Sequence, residues 1–142
     1  MQITSRFTEA LHILVCASYF DDQKVTSEFL ASSIGCNPVS VRQILQKLSR
    51  AGLIRIARGT GGITLLRGIR EITFLDVFEA VEAVDEKGLF HFHENPSPDC
   101  PVGSKIHGLL DERLGKIELA MKNEMKNQTV YDLMEELKNV SK

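Results

Sequence analysis

The chain lacks the devices by which proteins span membranes, staple themselves or perform common catalysis. No apolar run approaches the ~20 residues that a membrane-spanning helix needs. The opening residues Met1-Gln2-Ile3-Thr4-Ser5-Arg6 are not followed by an uninterrupted apolar core and a small-residue cleavage site, so no signal peptide is expected. Cysteine is scarce: three, an odd number at wide spacing (Cys16, Cys36, Cys100), do not make a disulfide framework. A reduced, cytoplasmic protein with no membrane partner is the expectation. GxSxG, P-loop, HExxH and dinucleotide fingerprints are all missing, so an enzyme is not expected. Neither internal repeats nor low-complexity tracts occur.

The most telling scarcity is of negative charge. From position 29 to position 70 there is no acidic residue, while seven basic ones occur: Arg42, Lys47, Arg50, Arg55, Arg58, Arg67 and Arg70. Residues 1–70 hold nine Lys/Arg against four Asp/Glu, and residues 71–142 hold eight against fifteen. The net charge of −2 therefore conceals a cationic half and an anionic half. Such asymmetry points to one half meeting a polyanion. With 142 residues, 43% of them hydrophobic and 25% charged, the chain has the material for one folded domain, or a small domain with an appendage.

Helical periodicity appears first over residues 4–20, through Phe7, Ala10, Leu11, Leu14 and Val15. A second helix is predicted from an N-cap at Thr26, with Glu28 in its first turn, to a left-handed stop at Gly35. The third has Asn37 as N-cap and Pro38 at its first position, then Val41, Ile44, Leu45 and Leu48 on one buried face, and stops at Gly52. Its opposite face carries Val39, Ser40, Arg42, Gln43, Gln46, Lys47 and Arg50, with no carboxylate. Two helices joined by Gly35-Cys36-Asn37 make a helix-turn-helix, whose second helix enters the DNA major groove. Residues 53–58 and 63–66 read as strands around the turn Gly59-Thr60-Gly61-Gly62. A hairpin directly after a recognition helix is a wing. Its glycines let backbone approach a duplex, and Arg58 beside them is placed for the minor groove.

Asp76 opens a further amphipathic helix through position 82. Residues 85–104, with Gly88, Pro96, Pro98, Pro101 and Gly103, read as a loop long enough to be functional. A long helix follows over residues 105–128, its stripe being Ile106, Leu110, Leu114, Ile117, Met121 and Met125. Gly108 and Gly115 on it would let another helix come close. Thr129 caps a last short helix. The expected fold is mainly α with a small β-hairpin wing. Its parts are a winged helix-turn-helix domain (1–82), a regulatory loop (83–104), and a long C-terminal helix with the short one (105–142).

This order of parts resembles the Rrf-two (BadM-type) family of bacterial winged helix-turn-helix regulators over nearly the whole length. The resemblance rests on Phe7-Thr8-Glu9-Ala10-Leu11, on the third helix from Asn37-Pro38-Val39-Ser40 onward, and on Ala51-Gly52-Leu53-Ile54 and Gly59-Thr60-Gly61-Gly62. Thr73-Phe74-Leu75-Asp76 and Cys100-Pro101-Val102-Gly103 complete the set. It implies a homodimer, most often a repressor, on imperfect palindromes in promoters, with the long helix serving as the dimerisation helix. The unpartnered stripe on that helix agrees. In well-known members three loop cysteines hold an iron–sulfur cluster. Here the loop has only Cys100, so no cofactor is expected and the chain looks like the cluster-free branch.

The residues expected on double-stranded DNA are Val39, Ser40, Arg42, Gln43, Gln46, Lys47, Arg50, Arg58, Gly59, Thr60, Gly61 and Gly62. Ser40, Arg42, Gln43 and Gln46 would face base edges, because Arg pairs with guanine and Gln with adenine. Lys47, Arg50, Arg55 and Arg58 would hold phosphates or the minor groove. Cys100, read as standing at the start of the long helix, is the candidate redox sensor, with a small-molecule or thiol effector as its partner. His91, His93, Cys100 and His107 are weak metal candidates, because imidazole and thiolate suit zinc but their spacing matches no standard pattern; solvated loop histidines and a helix-surface His107 are the plainer reading. The alternative to a DNA-binding repressor is a winged-helix interaction module that docks on an enzyme or another regulator.

Overall fold

The structure is a computed structural model describing residues 4–59, 61–82 and 89–141. Thr60 and positions 83–88 of the expected loop lie outside the described residues. Local capping chemistry sets the first three helices. In α1 (Ser5–Tyr19) the Thr4 side chain accepts from the Arg6 N–H. In α2 (Ser27–Ile34) the Thr26 hydroxyl accepts from the Phe29 N–H at 3.1 Å, and Gly35 ends the helix at φ 86°. In α3 (Pro38–Arg50) the Asn37 side chain accepts from the Ser40 N–H at 2.9 Å. Each cap satisfies a donor that the helix itself leaves free.

Strands β1 (Ile54–Ile56) and β2 (Ile63–Leu65) pair antiparallel, with Arg55 opposite Thr64. Both are shorter than expected. The Ala57 N–H already donates to the Gly62 carbonyl at 2.8 Å, and the Gly61 N–H returns to the Ala57 carbonyl at 3.2 Å, which ends the strand pairing at Ile56 and Ile63. A 3-10 turn (Ile69–Glu71) leads to α4 (Phe74–Val81). That helix begins two residues before Asp76, because Asp76 is the reciprocal partner of Thr73 in a capping box. Helices α5 (Ile106–Lys126) and α6 (Val130–Val140) complete the chain.

The core gathers Ile13 and Leu14 from α1, Leu30 from α2, Val41, Ile44 and Leu48 from α3, and Ile54 from the hairpin. Phe7 stands edge-on to Phe74 and Phe78, at 6.2 and 5.6 Å between ring centroids, tying α1 to α4. The short helix α6 returns to the N-terminal elements. The Val130 N–H donates to the Ile72 carbonyl at 3.0 Å, the Phe74 N–H to the Gln128 carbonyl at 2.8 Å, and Val130 is fully buried in the N-terminal core. Helix α6 also packs on α1. It therefore packs into the same core as α1. By contrast α5 buries no residue completely, and Leu109, Ile117 and Leu119 are each more than half exposed.

Candidate nucleic-acid interface

The amphipathic period of α3 decides what the interface shows. With Val41, Ile44, Leu45 and Leu48 turned into the core, Arg42, Gln43, Gln46 and Arg50 are exposed and Ser40 and Lys47 half-buried. Val39, an apolar side chain at the leading turn, is 58% exposed. In the hairpin, Arg55, Arg58, Gly59 and Gly61 are exposed. Gly59 and Gly61 take positive φ (76° and 71°), which glycine alone adopts without strain. Gly62 departs from expectation. It is buried, and a Cβ there would stand 3.0 Å from the Lys24 side chain, so it serves the base of the hairpin and not the exposed tip. Thr60 cannot be placed on this surface, lying outside the described residues.

The basic run divides into two classes. Arg67 donates to the Glu71 carbonyl at 2.8 Å and pairs with Asp76 at 3.4 Å, and the Arg70 guanidinium sits 3.9 Å from the centre of the Tyr131 ring. These two fasten the chain to itself. Lys47, Arg50, Arg55 and Arg58 have no carboxylate partner among the described residues. Arg42 is different again, donating at 3.1 Å to Glu28 of α2. Glu28 and Lys24 are members of this surface that sequence reasoning missed.

The loop before α5 is compact. Gly103 lies against the backbone of Ser97, 2.7 Å from where a Cβ would stand to the Ser97 carbonyl oxygen. Cys100 does not begin the long helix, which starts at Ile106. The sulfur instead meets the backbone N–H groups of Gly103 and Val102, and these hold its pKa below the ordinary thiol value. At Cys36 the pKa goes up, through desolvation and then the nearby Glu9 carboxylate. Cys16 is buried. His107 is half-buried, not on the open helix surface. Its ring lies 4.8 Å from Phe92 and 5.1 Å from His93, and its Nε2 is buried without a hydrogen-bond partner among the described residues. Among the described residues no three His, Cys, Asp or Glu side chains converge as metal ligands, so His91, His93, Cys100 and His107 are not gathered into one site.

Residues 3–136 match the family model described as "Rrf2: Iron-dependent Transcriptional regulator". The chain belongs to the Rrf2 family. It is 39% identical over 135 residues to the "Putative HTH-type transcriptional regulator YwnA" of Bacillus subtilis (strain 168), covering 95% of this chain and 98% of YwnA. A crystal structure of a "putative DNA binding protein" superposes with a TM-score of 0.74 at 33% identity, covering 92% of this chain and 99% of that one. CymR (YrzC), the global cysteine regulator of Bacillus subtilis, shares the fold at a TM-score of 0.69 and 20% identity, over 95% of this chain and 97% of CymR. This Rrf2 member is thus a transcriptional regulator with the winged-helix fold of DNA-binding proteins, not an enzyme. The family description names iron, but a buried Cys16, a half-buried Cys36 and a lone exposed Cys100 do not fit a shared cluster. No helix among the described residues is long and apolar enough to cross a membrane.

Proposed function

We propose that this Rrf2 regulator is a homodimeric repressor that occupies palindromic promoter sites, α3 lying in the major groove and the hairpin following the adjacent minor groove. The observation that carries the reading is the face of α3. It shows Val39, Arg42, Gln43, Gln46 and Arg50 to solvent, and the hairpin beside it adds Arg55 and Arg58 with no carboxylate partner among the described residues. Amide and guanidinium groups read base edges, and the unpartnered cations neutralise phosphates. A second copy is the partner that α5 fits. Gly108, Leu109, Glu112, Arg113, Lys116 and Ile117 line an open groove of about 580 Å³. A Cβ added at Gly108 or Gly115 would meet nothing, which leaves room for a second backbone. Two copies joined there carry two recognition helices to half-sites about one helical turn apart. Effector response belongs to the expected regulatory loop (83–104), in which the exposed Cys100 thiol is the candidate sensor.

Selection of genomic fragments by the reduced protein at roughly physiological salt tests this, because non-specific contacts weaken steeply there. Enrichment of a palindrome is the expected result. Failure to enrich any sequence, with tight capture of a protein partner, would replace the repressor with an interaction module.

A further inference from the structure

Glu28 is an anomaly on a surface built for a polyanion. A carboxylate there repels phosphate, and as an exposed ion pair it contributes little to folding. The Glu28 and Arg42 side chains are 68% and 53% exposed. Yet the carboxylate is held at both oxygens. Oε2 accepts from the Ser27 hydroxyl at 3.1 Å, and Oε1 accepts from Arg42 Nη2 at 3.1 Å. Ser27 is itself buried at the start of α2, where the free N–H groups of a helix favour an anion. A chain of contacts thus runs from a buried hydroxyl through Glu28 to a guanidinium on the recognition helix.

The arrangement has two consequences for Arg42. Its positive charge is cancelled locally, which makes it a poor counterion for phosphate. Its guanidinium is also drawn toward Glu28 through Nη2, and orientation is what a bidentate contact to guanine requires. We propose that Glu28 is a specificity-determining residue, which holds Arg42 in place as the reader of one base pair in each half-site. This rests on the proposal that α3 enters the major groove.

The test is selection from a randomised operator library, with salt titration of binding, for wild type, Glu28→Gln, Glu28→Asp, Arg42→Ala and the Glu28→Gln/Arg42→Ala double variant. Loss of a bidentate Arg contact corresponds to roughly tenfold or more in discrimination at its base pair. Arg42→Ala should lose that preference at one position. Glu28→Gln and Glu28→Asp should lose a several-fold part of it at the same position, and the double variant should lose no more than Arg42→Ala. Salt slopes should stay at the wild-type value in both Glu28 variants. Preserved preference in Glu28→Gln would overturn the assignment. So would affinity raised alike on every sequence with a slope steeper by about one ion, since Arg42 would then be a phosphate contact that Glu28 restrains. A wild type with no base preference at all would overturn both this assignment and the major-groove reading. Preference retained in wild type and lost only in the variants supports both.

Discussion

Helices α3 and α5 are both amphipathic, yet they end in opposite states. In 13 residues α3 buries four aliphatic side chains and offers solvent a face of amides and cations. In 21 residues α5 buries none, and Leu109, Ile117 and Leu119 face solvent with carboxylates and lysines among them. The apolar stripe of α3 is used within the chain, against α2 and α4, so its polar face is free to be functional. Along α5 the residues Ile106, Leu110, Leu114, Met121 and Met125 are half-buried, against α4 and, among the described residues, the segment from Leu89 to His93, where the Leu89 N–H donates to Glu118 at 2.7 Å; Leu109, Ile117 and Leu119 stay open. A helix whose apolar face is satisfied at home can read an external partner with its polar face. One whose apolar face is left open calls for a second protein surface.

Substitutions should separate the two helices in this order of effect. Leu48→Ala, at a fully buried position of α3, should cost about 2–5 kcal/mol of stability in urea denaturation. A cost below about 1 kcal/mol would mean that α3 is not held by that face. Ile117→Glu, at a position 55% exposed on α5, should leave the helical content and the fold intact while converting the proposed dimer to a monomer in light scattering. A dimer that survives it would place the subunit contact elsewhere. Arg58→Ala should weaken DNA binding alike on all sequences and lower the salt slope by about one, without touching oligomeric state. An unchanged slope would remove Arg58 from the interface.

The smallest effect is chemical and needs no mutation. Backbone N–H groups hold the Cys100 pKa below the ordinary thiol value, so its thiolate forms at lower pH, and alkylation should rise through a lower pH midpoint than for Cys36, whose pKa is raised. Peptide mapping after iodoacetamide treatment at neutral pH should find Cys100 modified first and buried Cys16 last. Equal rates at Cys100 and Cys36 would argue that the turn does not activate the sulfur.

What was legible in sequence was local. Thr26, Gly35, Asn37 and Pro38 each act on neighbours within one helical turn, and their roles in α2 and α3 match the reading of the residues. Relations across the chain were hidden. Nothing local to Val130 says that it enters the core beside Ile72, because α5 intervenes before it. The Glu28–Arg42 pair spans 14 residues, and Glu28 stands one position outside the acid-free stretch that drew attention to the basic run. Charge counting could not tell Arg67 and Arg70, bound to the protein's own carboxylate, carbonyl and ring, from cations without a carboxylate partner among the described residues. Likewise the wing glycines look alike as a string, and only Lys24 lying over Gly62 separates it from Gly59 and Gly61.

If α5 joins two chains, as proposed, α3 reads DNA in pairs. Sedimentation equilibrium of the protein on a duplex carrying the selected site, compared with a duplex carrying half of it, tests this most directly. Two chains on the full site, with the half-site bound far more weakly, is the predicted result. One chain per duplex, bound as tightly to the half-site as to the whole, would contradict it.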